Sequence, residues 1–392
     1  MQPSLLRCMN EVIVRLETPP VIKVDTVMSI LRRIWAIVWG IVRKGTWSLI
    51  GLWFALAVFF TAPVPFWLAT TLAILLALLF VASLRERFAP WRWFSISWRE
   101  KRFSTLAAAL FTGFAIHYFG FVTPDPNLDW AIEQSRTPRV RIEGNKVHVE
   151  NVRNFTWRTS TDFTPGWYEQ VYDLDAISSM YYVVAPFPFF EEAAHVFVSF
   201  KFSDGKDVAV SVEGRRLNGI PYRLIGSMFR QNQLIYIVGD ERDVVGLRGA
   251  VWKTPVFFYP ALTTKERKQA IFVDMMKRAQ HLEEHPEFYH LITNNCMNNI
   301  LYHMRRLGGR PIPHDLAVLL TGLSDRVAFD LGYIDTDLSF EEARRAFRVD
   351  PWMQTTTLDE GFAGRLRETL ARQVAEARAQ TSIKNPPPEH EK

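Results

Sequence analysis

Cys296 is the residue whose type and position most directly suggest covalent chemistry. It follows two asparagines, Asn294 and Asn295, and because asparagine is a favoured N-cap residue, this pattern predicts the start of a helix. In the first turn of a helix, unpaired backbone N–H groups and the helix dipole favour a thiolate, so we expect a lowered pKa for this thiol. The same N–H groups could stabilise an oxyanion. The alternative is a structural cysteine, since cysteines are commonly buried for packing.

His195 and Glu213 are the candidates for activating that thiol. His195 opens the strand-like stretch His195 to Phe202, and a histidine within hydrogen-bond reach of a thiol generates a nucleophile at neutral pH. A histidine at a strand start has no special role on its own. Glu213 lies on the returning strand and could orient the imidazole. The Asp204-Gly205 turn predicts a two-residue hairpin, which places Glu213 on the other face unless a one-residue bulge intervenes.

Further polar residues are candidates for contacts with a substrate. Arg215, Arg216 and Arg248 could bind an anionic head group, although solvated surface charge is the ordinary interpretation of such arginines. Asn295, directly before the candidate nucleophile, is a further substrate-binding candidate.

A competing constellation is the segment from His281 to His285, which fits the H-x-x-E-H pattern of inverted zinc peptidases. The residue before a proline disfavours helical backbone, so Pro286 argues against a helix that continues through His285. Short motifs also match by chance. We therefore expect no metal and no other cofactor.

The elements that position these residues alternate between strands and helices. The sequence predicts a hairpin around Gly144-Asn145 and strands over residues 180–184, 195–202, 208–212 and 233–238. It predicts one helix that begins at a capping box near Thr263 and another that runs from Cys296 to about Leu307. This order indicates an α+β domain over residues 123–350, followed by a helix and a disordered tail over residues 351–392.

Composition and charge exclude several classes of protein. A chain of 392 residues with two cysteines cannot form a disulfide framework or a four-thiolate zinc site. Residues up to Arg102 contain 13 basic and 5 acidic side chains, whereas the remainder contains 33 basic and 36 acidic ones. Because the basic excess belongs to the N-terminal quarter, beside long apolar runs, we expect a bilayer and no nucleic acid as a partner.

Three apolar runs predict transmembrane helices within residues 46–122. Thr46 to Ala62 and Phe66 to Leu84 contain no charged residue, and each approaches the ~20 residues that cross a bilayer. The third run, Ser104 to Val122, has His117 as its one ionisable residue, and a buried core helix is the alternative for this run.

The charged flanks predict the orientation of these spans. Basic residues precede the first run and lie between the second and third runs, so the positive-inside rule places both segments in the cytoplasm. With three spans, the domain after Thr123 then lies on the far side of the membrane. Residues 1–45 are predicted to be cytoplasmic, with Ser29 to Val42 as an amphipathic helix along the membrane surface.

The stretch from about Asn151 to His303 resembles the periplasmic-domain family named after the bacterial lipoprotein N-acyltransferase Lnb. The similar segments are NVRNF, HVFVSFKFSDGKDVAVSVEGRR, YIVGDERDVVGLR and FYHLITNNCMNNI, which begin at Asn151, His195, Tyr236 and Phe288. The resemblance implies a circularly permuted papain-like core, in which an antiparallel sheet packs with helices and the histidine precedes the cysteine. It assigns the base to His195 and the nucleophile to Cys296, and it implies a multi-pass protein of the bacterial inner membrane with this domain in the periplasm.

The resemblance also implies a reaction. In the name-giving acyltransferase, a phospholipid donates an acyl chain to the amino terminus of a lipoprotein through a thioester. There the membrane helices follow the catalytic domain, whereas here the apolar runs precede it. The first hypothesis is therefore a membrane-anchored cysteine acyltransferase or hydrolase that acts on lipid or lipoprotein. Two alternatives stay open: a cysteine peptidase or amidase acting on peptidoglycan or envelope proteins, and a non-catalytic envelope scaffold.

Overall fold

The computed structural model describes residues 24–61, 64–88, 102–308, 312 and 320–384. The chain divides into two compact units, Met1–Val122 and Thr123–Lys392. The end of the tail that the sequence predicts to be disordered, residues 385–392, and most of the second basic segment lie outside the described residues.

Three helices form the N-terminal unit: α1 (Val24–Thr61), α2 (Phe66–Phe88) and α3 (Arg102–Gly120). Met28–Thr61, Phe66–Leu84 and Arg102–Gly120 are long and apolar enough to cross a membrane by length and composition. The predicted surface helix over Ser29 to Val42 is not a separate element, because it is continuous with the first apolar run. No proline interrupts residues 24–61, so nothing removes a backbone donor along α1.

One close backbone approach joins the first two helices. A Cβ atom at Gly51 would lie 2.5 Å from the ring of Phe80, so glycine is required for α1 and α2 to pack this tightly. The indole of Trp47 also donates a hydrogen bond to Ser83 Oγ over 2.7 Å. These contacts pair α1 with α2 through small residues and one buried polar interaction.

An eight-stranded sheet forms the centre of the second unit. Its strands lie in the order β1-β2-β9-β8-β7-β6-β10, with β5 also paired to β2, and β3 and β4 form a separate ribbon. Neighbouring strands are antiparallel, except for one parallel contact between β2 and β9. The strands are β1 (Arg139–Glu143), β2 (Lys146–Arg153), β3 (Thr156–Trp157), β4 (Phe163–Thr164), β5 (Trp167–Asp173), β6 (Ile177–Phe187), β7 (Phe190–Phe202), β8 (Asp207–Arg215), β9 (Gln233–Gly239) and β10 (Phe257–Pro260).

The register of β7 and β8 differs from the one that the sequence predicts. Lys201 pairs with Asp207 and Phe197 pairs with Ser211, so His195 and Glu213 are in register across the two strands. The turn therefore contains one residue more than the predicted two-residue hairpin. Because opposite residues of an antiparallel pair share a face, Glu213 reaches the His195 face without a bulge.

Helices cover the sheet and complete the core. They are α4 (Glu241–Gly246), which continues into a π-helical turn over Leu247–Val251, α5 (Lys265–Glu284), α6 (Cys296–Arg306), α7 (Ser324–Asp330), α8 (Phe340–Ala346), α9 (Asp350–Met353) and α10 (Phe362–Lys384). The apolar face of α5, which includes Phe272 and Met275, is buried against this core. The predicted α+β class, with N-terminal apolar helices, is confirmed.

The C-terminal helix is part of the globular unit rather than an addition after residue 350. Phe362, Leu366 and Leu370 of α10 are buried in the main core. Arg367 forms a buried ion pair with Glu241 through both terminal nitrogens, and its Nη2 lies 2.9 Å from Asp207 Oδ1. The boundary predicted at residue 350 is therefore wrong, because residues that the sequence shows only as a charged helix supply core side chains and a buried cation.

We predict that Arg367→Ala lowers the free energy of unfolding of the globular unit by about 3–5 kcal/mol, because it leaves the fully buried Glu241 without its cation. Arg372→Ala, at an exposed position of the same helix, is the matched control and should change stability by less than about 0.5 kcal/mol. The unfolding free energies of both variants are measured by denaturant unfolding of the full chain in detergent. Exposure of the buried Cys296 thiol is the signal that reports unfolding. Equal effects of the two variants would contradict the structural role of Arg367.

Candidate active site

A capping box places Cys296 at the first position of α6. Asn295 Oδ1 accepts the N–H of Asn298 over 2.8 Å, and Asn298 Oδ1 accepts the N–H of Asn295 over 3.1 Å. The side-chain Nδ2 of Asn295 donates to the backbone carbonyl of Leu291 over 2.6 Å. The side chain of this predicted substrate-binding residue is thus engaged in fixing the helix start, although Asn295 also lines the cleft described below.

The thiol of Cys296 lies against the strand that carries the histidine. The backbone N–H groups of Val196, the residue after His195, and of Met297 act on its sulfur and favour the thiolate. Cys296 is only 5% exposed, and burial raises the pKa of its thiol, outweighing these N–H groups and the nearby guanidinium of Arg248. The lowered pKa that the helix start predicted is therefore wrong in direction, because desolvation of the thiolate exceeds the stabilisation from the helix terminus.

His195 is held by a hydrogen-bonded chain to Glu213. Its Nε2 lies 2.7 Å from Ser211 Oγ, and the Ser211 hydroxyl donates to Glu213 Oε1 over 2.9 Å. Because that hydroxyl has a single proton, its oxygen accepts from Nε2–H, which fixes the neutral tautomer and leaves the Nδ1 lone pair available. The geometry therefore prepares Nδ1 of His195 to accept a proton.

Burial keeps this imidazole neutral. The side chain of His195 is 15% exposed, and desolvation, followed by the positive charge of Arg248, lowers its pKa to about 3 against the smaller opposing effect of Glu213. With a raised thiol pKa and a lowered imidazole pKa, both partners are uncharged at neutral pH. An uncharged pair of this kind can form a thiolate only when a proton moves between them during the reaction.

Glu213 is ionised and bound by donors from separate parts of the chain. Arg248 Nη2 donates to its Oε1 over 2.8 Å, and Gln134 Nε2 donates to its Oε2 over 3.1 Å. Burial alone would raise the carboxyl pKa, but the charges of Arg248 and Arg153, together with that of His195 once it is protonated at low pH, lower it well below its usual range. Glu213 is linked to the imidazole through Ser211, with 4.0 Å between Glu213 Oε1 and His195 Nε2.

The three arginines predicted to bind an anion have different environments. Arg248 lies on the π-helical turn, and only 5% of its side chain is exposed, against Glu213 and the ring of Phe197. Arg215 donates to the carbonyls of Gln134 and Ser135 and lies over the ring of Trp130. It does not line the cleft that holds Cys296.

Arg216 forms an ion pair with Glu133 at the cleft wall. Of the three predicted arginines, Arg216 and Arg248 therefore line the cleft, and both already pair with a carboxylate.

One cleft of about 640 Å³ contains Cys296, His195 and Glu213 in its walls. Its lining is rich in apolar and aromatic side chains, which include Trp157, Phe187, Tyr222, Leu224, Trp252 and Ile292. A second cavity of about 420 Å³ shares His195, Arg248 and Trp252 with it. The candidate site is thus an apolar cleft that has a small polar cluster at one wall.

Sequence reasoning missed two members of this cluster. Ser211 lies two residues before Glu213, a spacing that puts both side chains on one face of a strand, so the Ser-x-Glu pattern could have identified it. Gln134, about 80 residues earlier in the chain, precedes the sheet and has no local pattern that links it to Glu213. Only the folded arrangement brings it to the carboxylate.

The H-x-x-E-H segment is divided by the end of a helix. Glu284 is the last residue of α5, and His285 is its C-cap. The rings of His281 and His285 stack with 4.7 Å between their centroids. Among the residues that the structure describes, no group of three or more His, Cys, Asp or Glu side chains is placed to hold a metal ion.

We predict that Ser211→Ala slows alkylation of Cys296 at neutral pH by roughly 10-fold to 100-fold, because the imidazole loses the hydrogen bond that orients its base nitrogen. Ser211→Thr, which keeps the hydroxyl, should restore most of the rate. Ser178→Ala removes an exposed hydroxyl on β6 and is the control. Iodoacetamide kinetics over a pH series measure the effect, and equal rates in Ser211→Ala and wild type would refute the positioning role.

A second prediction concerns stability and pH. The folded-state pKa of His195 is lowered to about 3 from an ordinary value of 6.5, so the unfolded chain binds more protons between these values and stability falls as pH decreases below 6.5. We expect His195→Gln to reduce the slope of unfolding free energy against pH by up to about 1.4 kcal/mol per pH unit between pH 6.5 and 4.5. Above pH 8 the slopes of unfolding free energy against pH should be the same in wild type and in His195→Gln. An unchanged slope below pH 6.5 would mean that His195 is charged in the folded protein.

Comparison with known proteins identifies one family. Residues 163–322 match the family described as the Lnb N-terminal periplasmic domain. The first of the similar segments, Asn151–Phe155, precedes this match. Neither the curated proteins nor the solved structures give a significant match. Together with the three apolar helices, the match indicates a membrane protein with a periplasmic domain, and it confirms the predicted resemblance to the Lnb family for the segment that contains His195, Glu213 and Cys296.

Proposed function

We propose that this protein is a membrane-anchored cysteine acyltransferase or hydrolase that acts on lipid or lipoprotein at the outer face of the bacterial inner membrane. The observation that carries the proposal is the position of Cys296 and His195 in one apolar cleft, with the histidine oriented by Ser211 and Glu213. The multi-pass topology and the periplasmic location of the cleft belong to the same proposal.

The first half-reaction uses the neutral pair. Nδ1 of His195 accepts the thiol proton as the Cys296 sulfur attacks the carbonyl carbon of an ester. The imidazolium then gives that proton to the departing alcohol, the carbon–oxygen bond breaks, and a thioester remains on Cys296. Glu213, already ionised, stabilises the transient imidazolium through Ser211.

The backbone at the start of α6 suits the developing oxyanion. The N–H groups of Asn298 and Asn299 are engaged by Asn295. The N–H groups of Cys296 and Met297 lie beside the sulfur and are the first-turn donors nearest to the reacting carbon. Their direction along the helix axis adds the positive end of the helix dipole.

The second half-reaction determines transfer or hydrolysis. An amine, or water, loses a proton to Nδ1 of His195 and attacks the thioester carbonyl, and the proton passes to the departing Cys296 sulfur. With an amine the product is an amide, as an acylated lipoprotein terminus would be, and with water it is a free fatty acid. The apolar walls of the cleft favour an acyl chain over a polar peptide as the group that Cys296 accepts.

The proposal predicts a covalent intermediate. Full-length protein in vesicles that contain phospholipid with a radiolabelled acyl chain should acquire label that hydroxylamine removes, as expected for a thioester. Cys296→Ala should lose all label, and Cys8→Ala, which changes the other cysteine of the sequence, should retain it. Full labelling of Cys296→Ala would refute the assignment of the nucleophile.

The same experiment with a labelled peptide separates the alternatives. Covalent labelling of Cys296 by a peptide acyl group, without labelling by lipid, would replace the lipid proposal with a peptidase or amidase. Absence of both labels, together with alkylation of Cys296 no faster than that of a free cysteine, would favour the non-catalytic scaffold.

A further inference from the structure

Three segments of the globular unit meet at the end of the sheet that carries the site. The hairpin between β6 and β7 turns at residues 187–190, five residues before His195, and the loop of residues 216–232 joins β8 to β9. These connections lie at one end of the sheet, because β6 and β8 end there and β7 and β9 begin there. The N-terminal segment of the unit joins the same end, since Trp130 forms a bridge with Leu217.

Exposed apolar side chains are concentrated on these two connections. Phe189 is fully exposed at the hairpin tip, and Ile225 is 55% exposed in the loop. The other exposed apolar residues of the two segments are Phe187, Phe190, Ile220, Tyr222 and Leu224. We call these seven residues the rim. Phe187, Phe190, Tyr222 and Leu224 also line the cleft that contains Cys296, so the rim surrounds its opening.

The chain enters the globular unit beside this rim. The apolar helix α3 ends at Gly120, and the Asp125 carbonyl already accepts a hydrogen bond from Gln233 at the start of β9. Asp129 then binds Asn218 of the loop through a backbone bond of 2.8 Å and a side-chain bond of 3.2 Å. The tether between α3 and these anchored residues contains only four residues, which span at most about 15 Å when fully extended.

Charge in the loop complements an anionic surface. The loop between β8 and β9 contains Arg216, Arg223 and Arg230 and no acidic residue, and Arg216 already pairs with Glu133. Arg223 lies between Tyr222 and Leu224, two exposed rim residues. A basic side chain between exposed aromatic and aliphatic ones suits the interface between lipid head groups and acyl chains.

We propose that the rim docks on the surface of the lipid bilayer, so that the cleft opens directly toward membrane lipid. Large exposed apolar patches on a soluble unit indicate an interaction surface, and the short tether from an apolar helix makes the bilayer the occupant that is always within reach. Docking delivers an acyl ester to Cys296 without full transfer of the lipid into water. The delivery of an acyl ester to Cys296 rests on the proposed function, whereas the docking itself does not require catalysis.

Photo-crosslinking of the full chain tests the docking separately from the chemistry. Benzoylphenylalanine is placed at Ile225 or Phe189, which are rim residues that do not line the cleft, in a Cys296→Ala background that forms no thioester. Leu262 is the matched control, because it is 54% exposed and lies beyond β10 at the opposite end of the sheet. The protein is reconstituted in vesicles of phosphatidylethanolamine and phosphatidylglycerol that contain radiolabelled lipid.

Lipid label should be several-fold greater at positions 225 and 189 than at position 262. Equal label at the three positions, or none at the first two, would overturn the proposal. In wild type, Phe189→Asp combined with Ile225→Asp should lower acyl labelling of Cys296 by vesicle lipid while leaving its alkylation by a soluble reagent unchanged. If the double variant loses both acyl labelling and alkylation of Cys296, it is misfolded. The crosslinking result at the rim then determines whether the docking proposal holds. Crosslinking at the rim without any acyl labelling in wild type would keep the docking and refute the proposed function.

Discussion

The buried ion pair between Glu213 and Arg248 is the interaction on which the geometry of the site depends. The carboxylate must stay charged to accept the Ser211 hydroxyl, and that hydroxyl in turn fixes the tautomer of His195. Removing the cation would leave a buried carboxylate uncompensated, which strongly favours its protonation or exposure to water. Arg248 is itself held by the π-helical turn, and such turns are frequent at functional sites because they reposition a side chain.

A neutral thiol and a neutral imidazole are a consequence of where this site lies. The sheet end is covered by aromatic and aliphatic side chains, which desolvate the Cys296 thiol and the His195 imidazole and would suit the acyl chain of the proposed substrate. In such surroundings a resting thiolate–imidazolium pair would need to compensate two desolvation costs. The fixed charges lie instead on Glu213 and Arg248, and Glu213 is linked to His195 by two hydrogen bonds through Ser211.

Local signals in the sequence predict the parts of the site that depend on local structure. The asparagines before Cys296 predict the helix start, and alternation predicts the strand that contains His195, because capping and pleating act over a few residues. The predicted start of that strand at His195 is wrong, since β7 begins at Phe190 and His195 lies within it. The sequence leaves the face of Glu213 open, because it depends on one residue in a turn, and a shift of one residue reverses every side chain. The pKa direction of Cys296 was wrong because burial is a tertiary property, and the contact of Gln134 with Glu213 arises only from the fold.

The dryness of the cleft also bears on the choice between transfer and hydrolysis. In the proposed reaction, a thioester at Cys296 would be attacked by whichever nucleophile reaches its carbonyl with a proton acceptor beside it, and His195 would serve an amine and water equally. If an acyl chain fills the apolar walls and the rim rests on a bilayer, bulk water is displaced from the thioester, whereas an amine at a membrane-bound terminus is delivered at the same surface. Hydrolysis would then be slow for a geometric reason, and the same enclosure that keeps the catalytic pair neutral would favour transfer to a lipoprotein amine.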